Sequence, residues 1–302
     1  MGTREEKPVT DDGRTGISRR SFLGTAALGA AAVALPGTAE SMVGVAESRL
    51  RSAMAPQPIG LQLYTVRDLM QKDVEQTLRD VAGIGYKEVE FAGLFDKDAK
   101  KVAGWLKKYG LTSPSSHIPL DRLNAGLQSV VDECQTLGNS YVVCPYIDEK
   151  IRKSADDWHK IAADLNKAGE SLKRVGLQLA YHNHDFEFAP LAGGDIGYDI
   201  LLKDCDSKLV KMEMDLFWIT NAKRDPLEYF AKQPGRFPLV HVKDMAGAGK
   251  MVNVGEGHID WQKIFAKRRE AGIEHFFVER DNPTSPLADI KISYTYLSRL
   301  GL

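Results

Sequence analysis

The sequence predicts an α/β protein built as a single-domain (β/α)8 TIM barrel, and three observations predict it. Eight short apolar, β-branched runs recur from Ile59 to the C-terminus, and amphipathic stretches that close on glycine separate many of them. The whole alternation occupies about 250 residues, the usual length for eight strand-helix units. No glycine lies between Gly60 and Gly83, so the first run lacks the phosphate-binding loop that an open doubly wound sheet would carry.

The elements follow in order. "IGLQLY" (59–64) is the first strand, and "DVEQTLRDVAGIG" (73–85) places Val74, Leu78, Val81 and Ala82 at helical spacing behind an Asp. "YKEVEF" (86–91) leads to the helix "DAKKVAGWLKKYG" (98–110), which closes on Gly110. The third strand, "TSPSSH" (112–117), is the least regular, because Pro114 removes a ladder donor. "YVVCP" (141–145) precedes "SADDWHKIAADLNKAGESLKRVG" (154–176), a helix with a Ser cap and a basic last turn. "LQLAYH" (177–182), "VKMEMD" (210–215), "PLVHVK" (238–243) and "HFFVE" (275–279) complete the strands. "DPLEYFAKQPG", "DWQKIFAKRREAG" and "SPLADIKISYTYLSRL" supply the last helices. "MVNVGEGHID", after the seventh strand, has the glycine content of an active-site loop.

Ahead of the barrel, "SRRSFLGTAALGAAAVALPGTAE" sets Arg19 and Arg20 before Phe22 and Leu23 and an Ala/Gly-rich stretch from Thr25 to Leu35. This pattern reads as a twin-arginine export signal and gives residues 1–52 as signal and linker, residues 57–302 as the barrel, and a periplasmic or extracellular destination. The stretch is too short for a stable membrane span, which needs about 20 apolar residues. Lys plus Arg number 40 against 41 Asp plus Glu, a balance that leaves no basic footprint for nucleic acid and favours a small-molecule partner. Cys134, Cys144 and Cys205 are an odd set without zinc-type spacing and read as packing residues. Nothing in the sequence fixes an oligomeric state.

In such a barrel the chemistry sits at the C-terminal ends of the strands. Glu88 and Glu90 end the second strand, His117 the third, His182 and His184 the fifth, Glu213 and Asp215 the sixth, His241 and Lys243 the seventh, and Glu279 the eighth. Residues two apart point the same way along a strand, so each such pair can face the barrel mouth. One strand-end His or Glu is ordinary. Carboxylates and imidazoles converging from four successive strands form a mixed N/O site for one divalent ion, for which Zn, Mn, Co and Fe all suit the donors.

The stretches "IGLQLYTVRD", "EVEFAG", "SSH", "YHNHDFEF", "KMEMDLFW", "HVKD", "VGEGHIDW" and "FVERD" resemble the sugar phosphate isomerase/epimerase family of xylose isomerase-like barrels, across residues 57–302. That family also includes hydroxypyruvate isomerase, inosose dehydratase and an endonuclease branch. The resemblance implies one divalent metal, with Mn favoured, held by two glutamates, an aspartate and a histidine. By position Asp215, His241 and Glu279 match three of them. The fifth strand departs from the pattern and offers His182, with Glu187 the nearest carboxylate. A set of His182, Asp215, His241 and Glu279 leaves a net charge of about zero around a divalent ion, against about minus one for the family's usual ligands, and so a stronger Lewis acid.

The implied activity is metal-dependent isomerisation or epimerisation, in which a proton is taken from the carbon beside the carbonyl of a sugar or keto-sugar. Glu279 or Glu187 is the expected base, and Glu187, His184 or Lys243 the second proton carrier. Lys243, with Glu90 and His117 as substrate contacts, would steady the enediolate, and Trp218 would wall the sugar ring. Dehydration, or cleavage of a 3-keto-glycoside, is the alternative that export favours. A non-catalytic exported sugar-binding protein is a third reading, and the balanced charge argues against the endonuclease branch.

Overall fold

The computed structural model describes residues 57–301, so the expected export signal and linker lie outside the described residues. All eight apolar runs form strands of one closed, parallel barrel: β1 (Gly60–Gln62), β2 (Glu88–Phe91), β3 (Thr112–His117), β4 (Tyr141–Cys144), β5 (Gln178–His182), β6 (Val210–Asp215), β7 (Leu239–Val242) and β10 (His275–Val278). β1 pairs with β2 on one side and β10 on the other, which closes the ring. A short antiparallel hairpin, β8 (Asp244–Ala246) and β9 (Lys250–Val252), stands apart from it. No helix among the described residues is long and apolar enough to cross a membrane.

The helices begin where short polar side chains satisfy free N–H groups. Asp73 caps Val74–Ile84, Asp98 caps Ala99–Tyr109, and Ser154 with Asp157 forms a reciprocal capping box on Ala155–Lys173. Gly110 ends its helix in the left-handed region at φ 67°, where a Cβ would be strained. The sequence pattern omits the helices Leu120–Ala125, Gln128–Leu137 and Gly197–Asp204, and none of these three has a side-chain N-cap.

Strand alternation divides the interior in two. Val142, Cys144, Leu179, Tyr181, Val240 and Val242 join the large core between barrel and helices, while Tyr141, Val143, Ala180, Leu239 and Phe277 form a separate apolar cluster. The smaller cluster fills the barrel, and the next inward positions toward the strand ends are His182, His241 and Glu279. Cys134, Cys144 and Cys205 are buried and unbridged, as packing residues should be.

Pro114 is accommodated by an irregularity. Glu88 pairs with Thr112 but Glu90 pairs with Ser115, so β3 spends one extra residue opposite β2. The ladder needs no donor from the proline there, and downstream of it Ser115 and His117 point into the barrel.

The glycine-rich segment after β7 is held by one carboxylate. Asp244 accepts from the backbone N–H of Met245 (2.8 Å), Gly255 (2.8 Å), Gly257 (3.1 Å) and Ile259 (3.3 Å), and from Trp261 Nε1 (3.2 Å). A Cβ on Gly257 would collide with Asp244 Oδ1. The expected loop is therefore a fixed wrap around a buried anion.

Candidate metal and proton-transfer site

Register builds the site. His182 pairs with Glu213 across β5 and β6, and Asp215 pairs with His241 across β6 and β7, so these side chains emerge next to one another. His117 Nε2 lies 3.0 Å from Glu90 Oε1 and 2.8 Å from Glu213 Oε2. His182 Nδ1 is 3.2 Å from Glu213 Oε2. His241 reaches Glu90 Oε1 through Nε2 at 2.7 Å and Glu279 Oε2 through Nδ1 at 2.7 Å. Lys243 Nζ sits among Asp215 Oδ2 (3.1 Å), Glu279 Oε2 (2.8 Å) and Asp281 Oδ1 (2.8 Å).

Two overlapping groups can hold an ion: Asp215, His241 and Glu279, and His117, His182, Glu213 and His241, with the ligand atoms in each within 4.8 Å of one another. His241 Nδ1 is 2.7 Å from Glu279 Oε2 and 3.9 Å from Asp215 Oδ2, and His182 Nε2 is 3.9 Å from Asp215 Oδ2. An ion about 2.1 Å from each donor requires donor separations of roughly 3–3.6 Å, which these distances bracket. Glu213 Oε1 and Asp215 Oδ2 are buried and accept no hydrogen bond. Lys243 is within ion-pair range of Asp215 Oδ2 but poorly aligned for a bond. The residues present therefore fit a divalent ion; of the four expected ligands, Asp215, His241 and Glu279 fall in one group, while His182 falls in the other and comes within 3.9 Å of Asp215 Oδ2.

The remaining expected residues separate. His117, His182, His184, Lys243 and Glu279 line a cavity of about 620 Å³ at the barrel mouth, together with Tyr64, Tyr146, Arg122 and Asp281. Glu90 is wholly buried and does not line it; Gln62 (2.7 Å) and Ser115 donate to its carboxylate, so it acts on His117 and His241 from below. Trp218 packs against His184, ring centroids 5.7 Å apart, and lies 5.4 Å from Lys243 Nζ rather than on the cavity wall. Glu187 is also wholly buried; Tyr181 Oη and the backbone N–H of His184 donate to it, each at 2.8 Å. Glu213 is the addition that the ligand pattern omits. Its signal is the spacing of two from Asp215, and its carboxylate restores beside His182 the charge that the fifth strand lacks.

Burial and neighbouring charge set the protonation states. Burial would lower His117, but the carboxylates of Glu90 and Glu213 override it and raise the imidazole to about 9. His182 is pushed well below its ordinary value by burial and by the charge of His241, and His184 falls to about 3, chiefly by burial. Burial raises Asp215 to about 6 against the pull of Lys243. Glu279 is also buried, but Lys243 and His241 hold it far below the usual carboxylate range. Lys243 is held above its own range by Asp215, Glu279 and Asp281 despite burial.

Burial raises Glu187 to about 8. A carboxyl whose pKa is higher folded than unfolded binds the extra proton in the native state, so it subtracts stability as pH climbs from the ordinary carboxylate range toward 8. Glu187→Gln copies the neutral form and should flatten that slope, which approaches about 1.4 kcal/mol per pH unit. Urea midpoints between pH 5 and 8 measure it, and an unchanged slope would show Glu187 ionised in the fold.

Residues 78–299, most of the chain, match the family described as xylose isomerase-like TIM barrel. An inosose dehydratase of Geobacillus kaustophilus (strain HTA426) is 24% identical over 270 residues, spanning 75% of this chain and 87% of that protein. A sugar phosphate isomerase/epimerase from Parabacteroides distasonis ATCC 8503 is 26% identical and superposes with a TM-score of 0.72 over 81% of this chain and 94% of that one. The IolI protein with a bound zinc atom, 16% identical with a TM-score of 0.66 over 81% and 98% of the two chains, shares the fold. With the closed eight-stranded barrel and the ligand cluster at its mouth, these matches establish that the chain belongs to the xylose isomerase-like TIM barrel family.

Proposed function

We propose that the protein removes a proton from the carbon beside the carbonyl of a sugar or keto-sugar and expels a β-substituent, a metal-dependent lyase or dehydratase reaction. The observation that carries this reading is the asymmetry of the cavity wall. Glu279 lines it as an ionised carboxylate, whereas the histidine wall presents His117, His182 and His184 and no carboxylate. Two-base epimerisation requires a second base across the substrate, and the candidates are poor: Glu187 is buried and already accepting two hydrogen bonds, burial lowers His184 to about 3, and Lys243 is held as an ammonium by three carboxylates.

A bound divalent ion would supply Lewis acidity that lowers the pKa of the C–H bond, and His182, Asp215, His241 and Glu279 would hold it. Glu279 receives the proton; its depressed pKa makes it a weak base, so the bond must be acidified for the transfer to proceed. His117 delivers the opposing proton. Its Nε2 faces Glu90 and Glu213, which keep the imidazolium protonated at neutral pH, so it can protonate a departing hydroxyl or glycosidic oxygen. Lys243 Nζ lies within ion-pair distance of three carboxylates, so it holds Asp215, Glu279 and Asp281 in place instead of reaching for substrate. The inosose dehydratase relatives support elimination. Isomerisation is the second reading, favoured by the sugar phosphate isomerase/epimerase neighbour and compatible with the same single base.

Deuterium exchange separates the roles. With keto-sugars and 3-keto-glycosides in deuterated water, Glu279→Gln should slow exchange at the carbon beside the carbonyl by about 10²–10⁴. His117→Asn should retain exchange but slow release of water or aglycone by a similar factor. Exchange at the parental rate in Glu279→Gln would sink the assignment of the base.

A further inference from the structure

We infer that the cavity mouth is a second subsite, shaped for a flat apolar aglycone on a neutral, unphosphorylated glycoside; this rests on the sugar reading of the site. Among the described residues only five large hydrophobic side chains are strongly exposed, and two of them, Tyr64 at 42% and Tyr146 at 46%, line this one cavity. A lone exposed tyrosine is ordinary. Two on one mouth, each held from behind, are an arrangement.

The holding is specific. Arg67 places its guanidinium 4.2 Å from the Tyr64 ring centroid and donates through Nη1 to the Tyr64 carbonyl at 2.9 Å. On the other side Tyr146 meets the rings of Phe186 and His184 edge-on, with centroids 5.5 and 5.6 Å away. Arg152 stacks on Phe186 at 3.4 Å and donates through Nε to the Ile147 carbonyl at 2.9 Å, which secures the loop that carries Tyr146. Rings fixed before binding lose little freedom when a ligand stacks on them, which is how aromatic side chains yield affinity at exposed positions.

Charge sets the class of ligand. The two long cations on the cavity are both engaged: Lys243 with three carboxylates, and Arg122 with Glu133, Nη2 to Oε2 at 3.0 Å. Glu279 and Asp281 face the same space, so a phosphate would meet fixed negative charge, and the cations beside it, Lys243, His117 and Arg122, are each already paired with a carboxylate. The volume of about 620 Å³ lies within the roughly 300–1,000 Å³ typical of drug-sized ligands and leaves room beyond a single sugar ring.

Calorimetric titration of the purified full-length chain, with Mn supplied, tests the inference using methyl β-D-glucopyranoside, phenyl β-D-glucopyranoside and glucose 6-phosphate. The phenyl glycoside is expected to bind about tenfold more tightly than the methyl glycoside, and Tyr64→Ala and Tyr146→Ala should each cut that ratio by about threefold. Tyr146→Trp, which keeps an aromatic face, should preserve the ratio and so separates stacking from misfolding. Equal binding of phenyl and methyl glycosides, or tightest binding of glucose 6-phosphate, would overturn the subsite while leaving the sugar reading intact. If none of the three binds, both fall.

Discussion

Asp215→Ala is expected to abolish binding of a divalent ion and to lower turnover on the order of 10⁴-fold or more, since a Lewis acid supplies several kcal/mol of stabilisation and each 1.4 kcal/mol is a factor of ten. Asp215 ends β6, is wholly buried, and offers Oδ2 toward His182 and His241 with no hydrogen bond of its own. It has a second task. Its Oδ1 accepts from the backbone N–H of Phe217 (2.9 Å) and Trp218 (3.0 Å) and so caps the helix Leu216–Asn221. Losing that cap costs about 1 kcal/mol, which would confound a measurement of activity alone. Asp215→Asn resolves the ambiguity, because an amide oxygen can still cap while the amide nitrogen cannot ligate. Elemental analysis should find about one ion per chain in the parent and none in either variant. An ion retained in Asp215→Asn would move the ligand set to His117, His182, Glu213 and His241, the neighbouring group with matching donors.

The second large effect is on stability. Lys243→Met should destabilise the metal-free fold by about 3–5 kcal/mol at neutral pH, because a buried ammonium is removed from three carboxylates that stay behind. The sign with pH follows from both partners. Lys243 is raised above its ordinary value, so its contribution is complete below about 10.5 and is lost only as pH rises through its folded pKa. Glu279 is depressed, so its contribution is present above the ordinary carboxylate range and is lost as pH falls below that range through its folded pKa. The gap between parent and variant in urea should therefore be widest near neutrality and narrow in acid, helped by Asp215, which already protonates near pH 6. Added Mn should narrow it further, since a divalent cation restores the missing positive charge. A gap under about 1 kcal/mol at pH 7.5 in chelator would show that the lysine does not hold these carboxylates.

Much of this was legible in the chain. Parallel strands buried on both faces read as continuous apolar runs, and several of the eight do; "TSPSSH" has no apolar run, and it forms with a bulge that absorbs Pro114. Helices announced by Asp or Ser caps were equally plain. Those at Gln128–Leu137 and Gly197–Asp204 begin after Leu127 and Ile196, which offer no capping oxygen, and their stability comes from packing that sequence pattern does not display. In the site, Asp215, His241 and Glu279 could be placed by position on their strands. What the sequence hid was depth. Glu90, Glu187 and Glu213 look alike at strand ends or in a following turn, and only the fold shows that Glu90 supports two histidines, Glu187 turns back to Tyr181, and Glu213 is the register partner of His182. Trp218 follows Asp215 closely, yet its ring packs against His184 and near Lys243, which line the cavity, without itself being one of the lining residues.

The bulge in β3 has a bearing on how this barrel tolerates insertion and deletion. Side-chain direction along a strand is a matter of odd and even, and the extra residue at Ser113–Pro114 resets that parity midway. The half of β3 before it and the half after it are aimed independently. A one-residue deletion within Ser113–Pro114 would be absorbed as a regular ladder and leave Ser115 and His117 facing inward. The same deletion at Ser116 would turn His117 out of the barrel and leave Glu90 and Glu213 without their shared imidazole, so the position of a lost codon, more than its identity, decides whether the chemistry survives.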